Sequence, residues 1–330
     1  MNRRDTAVFL FAFGATAGPL RALAQAQTPK TFRVGCLWVS SAENMKPYFQ
    51  SFLAGMRDRG YLPGQNLTVD NRYADGDTTR LPALARELIA LRPDVLVGIE
   101  TPARAMKAAT SSIPIVLPSS SDPVAAGLVQ SLARPGTNVT GMSYLLHELV
   151  AKHVELLSEL FPKMSRLAFL NDASLRTETQ EQWVGTARTA AKAKGLSLTL
   201  VSARDSGSLR EAFAVLEKQR PESLVAATTG TFLNLRREII DGARRLRLPA
   251  ISSIPDFAQD GGLISYGANF IEGYRYVASF VDKILKGAKP ADLPVEQTAK
   301  FEFVVNLKSA RALGITIPQS FLFRADRVIE

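Results

Sequence analysis

The sequence predicts an α/β protein of two doubly wound lobes joined by a multi-strand hinge, and three observations carry that expectation. Short, nearly all-apolar runs alternate with longer stretches whose apolar residues recur at helical spacing. The alternation runs through once and then begins again. A further helix and strand follow the second round. Strands that are apolar on both faces, each followed by a crossover helix, belong to parallel sheets covered on two sides.

Taken in order, residues 1–26 read as an export signal outside the fold. Arg3 and Arg4 form a basic start, Ala7 to Ala17 an apolar run with Phe9, Leu10, Phe11 and Phe13, and small residues follow. Cleavage after Ala24 or after Ala26 is available. The run is broken by Gly14, Gly18 and Pro19 and falls short of the ~20 residues a membrane span needs. The paired arginines raise the twin-arginine route, but Asp5-Thr6 follow where that signal usually has a bulky apolar residue, so ordinary secretion stays open.

In the first round, strands are expected at Phe32 to Val39, Leu67 to Tyr73, Val95 to Ile99, Ile115 to Leu117 and Val139 to Met142. Helices are expected between them, near 44–60, 79–91, 102–110 and 123–133. Phe49, Phe52, Leu53 and Met56 share one face of the first, and Gly60 supplies its stop. The second round offers strands at Leu167 to Leu170, Leu198 to Val201, Leu224 to Ala227, Ala250 to Ser252 and Leu263 to Tyr266. Helices near 146–160, 178–194, 208–219 and 233–246 separate them. A helix at 270–286 and a strand at Lys300 to Asn306 remain, and they fit best if the chain returns to the first lobe after about 267 and leaves it again near 297.

Composition narrows the function. The chain has 330 residues, 46% hydrophobic and 22% charged, as in folded globular proteins. Its 40 Lys and Arg against 31 Asp and Glu give +9, but the bases are dispersed among acids, so no nucleic-acid partner is expected. The densest knot, Arg236-Arg237 with Arg244-Arg245-Arg247, reads as a solvated helix face. One cysteine, Cys36, excludes an intramolecular disulfide and a cysteine-rich metal site, and reads as a small buried strand residue.

Ligands of open parallel sheets bind beyond the carboxyl ends of the strands, so the residues there matter most. They are Ser40-Ser41, Glu100-Thr101, Ser119-Ser120-Ser121-Asp122 and Ser143-Tyr144 in the first round. In the second they are Asn171-Asp172, Thr228-Thr229, Ser252-Ser253 with Asp256-Phe257, and Tyr266 with Asn269. Small hydroxyls and amides at helix starts suit a carboxylate. The same residue types are ordinary helix caps, Asp122 before Pro123 above all. Aromatic residues at these ends, Trp38, Tyr144, Phe232, Phe257 and Tyr266, are not explained by capping, though each alone fits a core.

No enzyme constellation emerges. His147-Glu148 opens a zinc-protease-like pattern, but Ala151 stands where the second histidine is needed, and His153 falls on another helix face. The chain has no G-x-S-x-G elbow, G-x-G-x-x-G fingerprint or Walker A run, and Cys36 has no local histidine. No cofactor is expected.

Several short runs, in order, resemble the ABC-type substrate-binding proteins of the tryptophan/tyrosine-transporter-like group. They are Arg59-Gly60-Tyr61 with Gly64-Gln65-Asn66, Ile113-Pro114-Ile115-Val116, and Asp122-Pro123-Val124 with Gly127-Leu128-Val129. Arg134-Pro135-Gly136 with Asn138-Val139-Thr140-Gly141, Gly261-Gly262-Leu263 with Ser265-Tyr266-Gly267, and Lys286-Gly287 with Lys289-Pro290-Ala291-Asp292-Leu293-Pro294 follow. The ending Asn306-Leu307-Lys308 with Ala312-Leu313-Gly314 completes the set.

The resemblance implies a type I periplasmic binding fold: two Rossmann-like lobes, three hinge crossings, and a ligand clamped between the lobes without catalysis. It places the first lobe at 30–143 plus 268–297 and the second at 144–267 plus 298–330. It implies a periplasmic monomer that delivers a small molecule to an ABC permease in the inner membrane. Two positions depart from the group. Tyr266-Gly267-Ala268-Asn269 stands where a Tyr-Gly-Pro-Asp is frequent, and Ser119-Ser120-Ser121 gives a more polar wall before Asp122-Pro123. An amino-acid-like ligand, a carboxylate and another small polar aromatic are therefore all open. A sensory module docking on a membrane receptor and an exported α/β enzyme are the alternatives. The candidate ligand-binding set is Ser40, Ser41, Glu100, Thr101, Ser120, Asp122, Ser143, Tyr144, Asn171, Thr228, Thr229, Phe257, Tyr266 and Asn269.

Overall fold

Every strand predicted from the apolar runs is present, in two sheets, in the computed structural model, which describes residues 30–297 and 300–330. The expected export signal lies outside the described residues. The chain runs β1 (Phe32–Trp38), α1 (Ala42–Arg57), β2 (Leu67–Tyr73), α2 (Leu81–Ala90), β3 (Val95–Val97), α3 (Glu100–Ala109), β4 (Ile115–Leu117) and β5 (Val139–Ser143). The second round is α4 (Leu149–Leu160), β6 (Arg166–Asp172), α5 (Thr177–Ala193), β7 (Ser197–Ala203), α6 (Ser206–Gln219), β8 (Ser223–Ala226), α7 (Gly230–Asn234), α8 (Arg236–Arg245), β9 (Ala250–Ser252), α9 (Pro255–Gln259) and β10 (Ile264–Ala268). The end comprises α10 (Phe270–Leu285), β11 (Glu296–Gln297), β12 (Phe301–Asn306), α11 (Leu307–Leu313), α12 (Gln319–Leu322) and β13 (Arg327–Ile329).

A six-stranded sheet has the order β11-β5-β4-β3-β1-β2, and a seven-stranded sheet the order β13-β12-β10-β9-β8-β6-β7. All pairings are parallel except β10 with β12. The chain passes between the sheets after β5, after β10 and after β11, which makes the hinge.

Alternation along β1 sends Val34, Cys36 and Trp38 into one buried layer and Leu37 and Val39 into the other, so helices cover both faces of the first sheet. Cys36 is fully buried there, and burial holds its thiol far above its ordinary range. Helix α10 leaves the second sheet and packs on α1. The two meet at Gly55, where an added Cβ would collide with the Arg275 carbonyl oxygen. Only a residue without a side chain admits that approach.

Three expectations are corrected. No helix forms over 123–133. Asp122 Oδ1 accepts from the Val124 and Ala125 amides, and Gly127 turns to φ 68° after a single turn, so the segment continues as turns. The helix expected at 233–246 is two, α7 and α8, divided at Leu235. Arg236 is not on a solvated face. It is 8% exposed, and its guanidinium pairs with Asp260 at 2.6 Å, while Arg244 does remain outside, paired with Asp241.

Candidate functional site

The carboxyl ends of both sheets face a cleft between the lobes, and the cleft has two adjoining compartments. The first, about 90 Å³, is aromatic and aliphatic. Trp38 enters it from the end of β1, Met45 and Tyr48 from α1, Phe270 and Tyr274 from α10, and Leu233 and Ile254 from the second lobe. The rings brace one another. Trp38 lies 5.9 Å from Tyr274 and Tyr48 lies 5.4 Å from it, centroid to centroid, both tilted. The Trp38 indole N–H donates to Asn71 Oδ1 on β2 at 2.8 Å, which fixes that ring from behind. Aromatic faces held in this way offer a large apolar surface at little entropic cost.

The second compartment, about 60 Å³, sets more polar side chains among the apolar walls of Ile99, Leu146 and Leu175. Its walls come from the start of α3 (Glu100, Thr101), the serines after β4, Thr179 and Trp183 on α5, and Thr228 and Thr229 after β8. Ile99, Ser119, Leu146, Thr228, Thr229 and Gly230 line both compartments, so the two adjoin. Glu100 is their one charged side chain among the described residues. Its Oε2 accepts from Ser120 Oγ at 3.1 Å and from the Ser121 amide at 3.2 Å. Burial raises its carboxyl above the usual range, and these hydrogen bonds and the charge of Arg104 only partly offset that. Trp183 is among its lining residues, and its buried indole N–H has no hydrogen-bond partner.

Hydrogen bonds tie the lobes together around the cleft. Asn234 Oδ1, at the end of α7, accepts from Ser40 Oγ at 3.3 Å and Asn44 Nδ2 at 3.1 Å, and its Nδ2 donates to the Asp75 carbonyl at 3.5 Å. Tyr48 Oη donates to Asp256 Oδ2 at 3.2 Å. Gln182 Nε2 on α5 reaches both Asp122 Oδ2, at 3.2 Å, and His147 Nε2, at 3.0 Å. Burial lowers the pKa of His147, which keeps the imidazole neutral and able to accept there. The lobes also approach closely at Gly230, where an added Cβ would lie 2.9 Å from Val39 Cβ and 3.0 Å from Ile99 Cδ1.

The predicted residues divide by place. Ser40, Glu100, Thr101, Ser120, Thr228 and Thr229 line the compartments. The rest lie elsewhere. Ser41 caps α1 through the Asn44 amide, and Asp122 caps its turn and meets Gln182. Ser143 Oγ is buried against the carbonyls of Ser120 and Ser121. Asn171 is buried on Gln180, with its own Oδ1 unpartnered. Phe257 is core, pressed against Gly262. Tyr266 stacks on Phe301 at 5.9 Å, and Asn269 caps α10. Tyr144 packs edge-on to Phe270 at 5.2 Å and, with Asn269, borders a separate surface hollow beside the hinge. Asp172, satisfied by Ser174 and Thr229 at 2.6 Å each, supports the Thr229 wall from behind.

Sequence reasoning misses Met45, Tyr48, Phe270, Thr179 and Trp183 as lining residues. Their signal was present but ambiguous. Thr179 and Trp183 stand four apart on one face of a helix, and Tyr48 lies on the apolar face of α1, a spacing that serves a core and a cleft wall alike.

Comparison with known proteins adds a consistent picture. The family model described as ABC transporter substrate binding protein matches residues 33–329. A tyrosine-binding protein of Clostridioides difficile strain R20291 is 27% identical over 269 residues, covering 81% of this chain and 76% of that one. A conserved domain protein of Vibrio cholerae O1 biovar eltor superposes with TM-score 0.85 at 29% identity, over 91% of this chain and all of the other. The structure of an ABC domain from Streptococcus pneumonia in complex with L-Trp superposes with TM-score 0.84 at 26% identity, with the same coverage.

Proposed function

The chain belongs to the ABC transporter substrate-binding protein family, and from that premise we propose that it is the exported solute receptor of an ABC importer, closing on a small aromatic amino acid. One observation carries the choice of ligand: an aromatic compartment and one richer in polar side chains adjoin at the facing strand ends of two lobes. A ligand with a ring at one end and a polar head at the other fills both. The relatives that bind tyrosine and L-Trp support the same class.

The proposed first lobe is 30–143 with 268–297, and the proposed second is 144–267 with 298–330. In the open form the first lobe presents Trp38, Ser40, Tyr48, Glu100, Thr101, Ser120 and Tyr274. Closure brings Trp183, Thr228 and Thr229 over the ligand and makes the Asn234, Tyr48–Asp256 and Gln182 bonds. Excluding water strengthens each polar contact. The protein acts as a periplasmic monomer, without catalysis, and hands its ligand to an inner-membrane permease. Residues 1–26 are the export signal.

The test is native mass spectrometry of the protein purified without denaturation, followed by calorimetry with L-tryptophan, L-tyrosine and aliphatic amino acids. Saturable one-to-one binding of an aromatic amino acid, recovered unchanged after long incubation, is the expected result. Binding of aliphatic amino acids alone, or turnover of the ligand, contradicts the reading.

A further inference from the structure

Asn269 borders a separate hollow and is committed to the Glu272 amide, so it brings no group to the cleft. The cleft carries an acid elsewhere. Glu100 is the one charged side chain lining either compartment among the described residues, and its Oε2 accepts from Ser120 Oγ and the Ser121 amide.

We propose that Glu100 is the residue that selects a free amine, its carboxylate taking the ligand's α-ammonium, while the unpartnered Trp183 indole N–H takes an oxygen of the ligand's carboxylate. This deepens the function proposed above and rests on it. Three physical arguments support the assignment. A buried carboxylate whose desolvation the charge of Arg104 only partly offsets is costly, and an ammonium placed against it relieves the remainder. A ligand bearing only a carboxylate would bring a second negative charge into the same enclosure, where charges repel most strongly. Buried N–H groups almost always have a partner, so the lone Trp183 donor marks a place where an acceptor belongs.

The acid is therefore supplied by the first lobe, at the start of α3, and the donor by the second, on α5. A ligand that satisfies both bridges the lobes at its polar head, so recognition of the head and closure are one event. The burial that raises the Glu100 pKa agrees with a carboxylate waiting for a counter-charge.

The experiment is calorimetry of the full mature chain with L-tyrosine, tyramine and 3-(4-hydroxyphenyl)propionate, each with wild type, Glu100→Gln and Trp183→Phe. In wild type, removing the amine costs about a hundredfold or more in affinity, the scale expected for breaking a buried charge pair. Removing the carboxylate costs less. Glu100→Gln reduces the tyrosine-to-propionate ratio to within about tenfold, and Trp183→Phe reduces the tyrosine-to-tyramine ratio while leaving the amine preference in place. Circular dichroism and melting curves establish that both variants are folded. If the propionate binds wild type as tightly as tyrosine does, or if Glu100→Gln keeps the full amine preference, the assignment is overturned though the aromatic-ligand reading stands. If none of the three binds and aliphatic amino acids do, the aromatic reading fails, and the assignment with it.

Discussion

The two compartments of the cleft are built on opposite principles. In the aromatic compartment the ring cluster is braced in advance: Trp38 is held by Asn71, and Trp38 and Tyr48 both pack on Tyr274. In the polar compartment a buried acid is only partly compensated by the charge of Arg104, and a buried indole N–H has no partner. A preformed apolar wall contributes affinity through surface removed from water. Unfinished polar groups contribute discrimination, because a ligand that fails to complete them leaves their desolvation uncompensated. The difference teaches where to look for grip and where to look for selectivity within one cleft.

The largest effect that would break this division is at Trp38. Its ring is 1% exposed and belongs both to the cleft wall and to the core over the first sheet. Trp38→Ala should cost about 3–5 kcal/mol of folding stability and abolish measurable binding, as read by denaturant unfolding and calorimetry. A variant of normal stability would show that the wall is not part of the core.

Gly230→Ala comes next. Its new methyl would press on Val39 and Ile99 across the lobe boundary, at an overpacking cost of about 1–3 kcal/mol. Closure carries that cost, so affinity should fall about tenfold or more while the melting temperature of the free protein changes little. Equal affinity would mean that the lobes do not need this approach.

Asn234→Ala removes three hydrogen bonds that cross between the lobes. At roughly 0.5–1.5 kcal/mol for a typical bond, and with a partly exposed site, a loss of affinity of about tenfold is expected, mainly through faster dissociation in stopped-flow traces. An unchanged off-rate would remove Asn234 from the account.

The smallest effect is the most diagnostic of the polar end. Glu100 has its folded-state pKa raised above the ordinary 4.5, so the folded protein without ligand binds this proton more readily than the unfolded chain does. The stability it contributes is fully present below the ordinary value and is lost as pH rises through the raised one. Glu100→Gln should therefore raise the melting temperature of the ligand-free protein at neutral pH, and erase that part of the pH dependence. The sign for binding is opposite: affinity for an amine should weaken as pH falls through the raised pKa. A variant less stable at neutral pH would contradict this.

The strands and their polar ends are legible in the sequence because parallel strands are continuous apolar runs and ligand groups follow them directly, as Ser40, Thr101 and Thr228 show. The cleft walls carried on helices are not. Tyr48 and Tyr274 recur at the spacing of any buried helix face, and only packing decides whether a ring meets a sheet or a cavity. Aromatic strand ends mislead for a related reason. Phe257 fills space beside Gly262, and Tyr266 leans on the strand paired with its own. The lost helix at 123–133 turns on local chemistry, the Asp122 cap and the left-handed Gly127, which outweighs its apolar spacing.

The chain has two tryptophans, and Trp38 and Trp183 line different compartments, so each reports on one end of the cleft. The most direct test is a fluorescence titration with L-tyrosine, exciting tryptophan selectively, on Trp183→Phe and Trp38→Phe variants that leave one reporter each. A single ligand spanning both compartments predicts saturable changes in both variants, each at the affinity calorimetry gives for that variant. A saturable change from one tryptophan with none from the other, while calorimetry still registers binding, would contradict it.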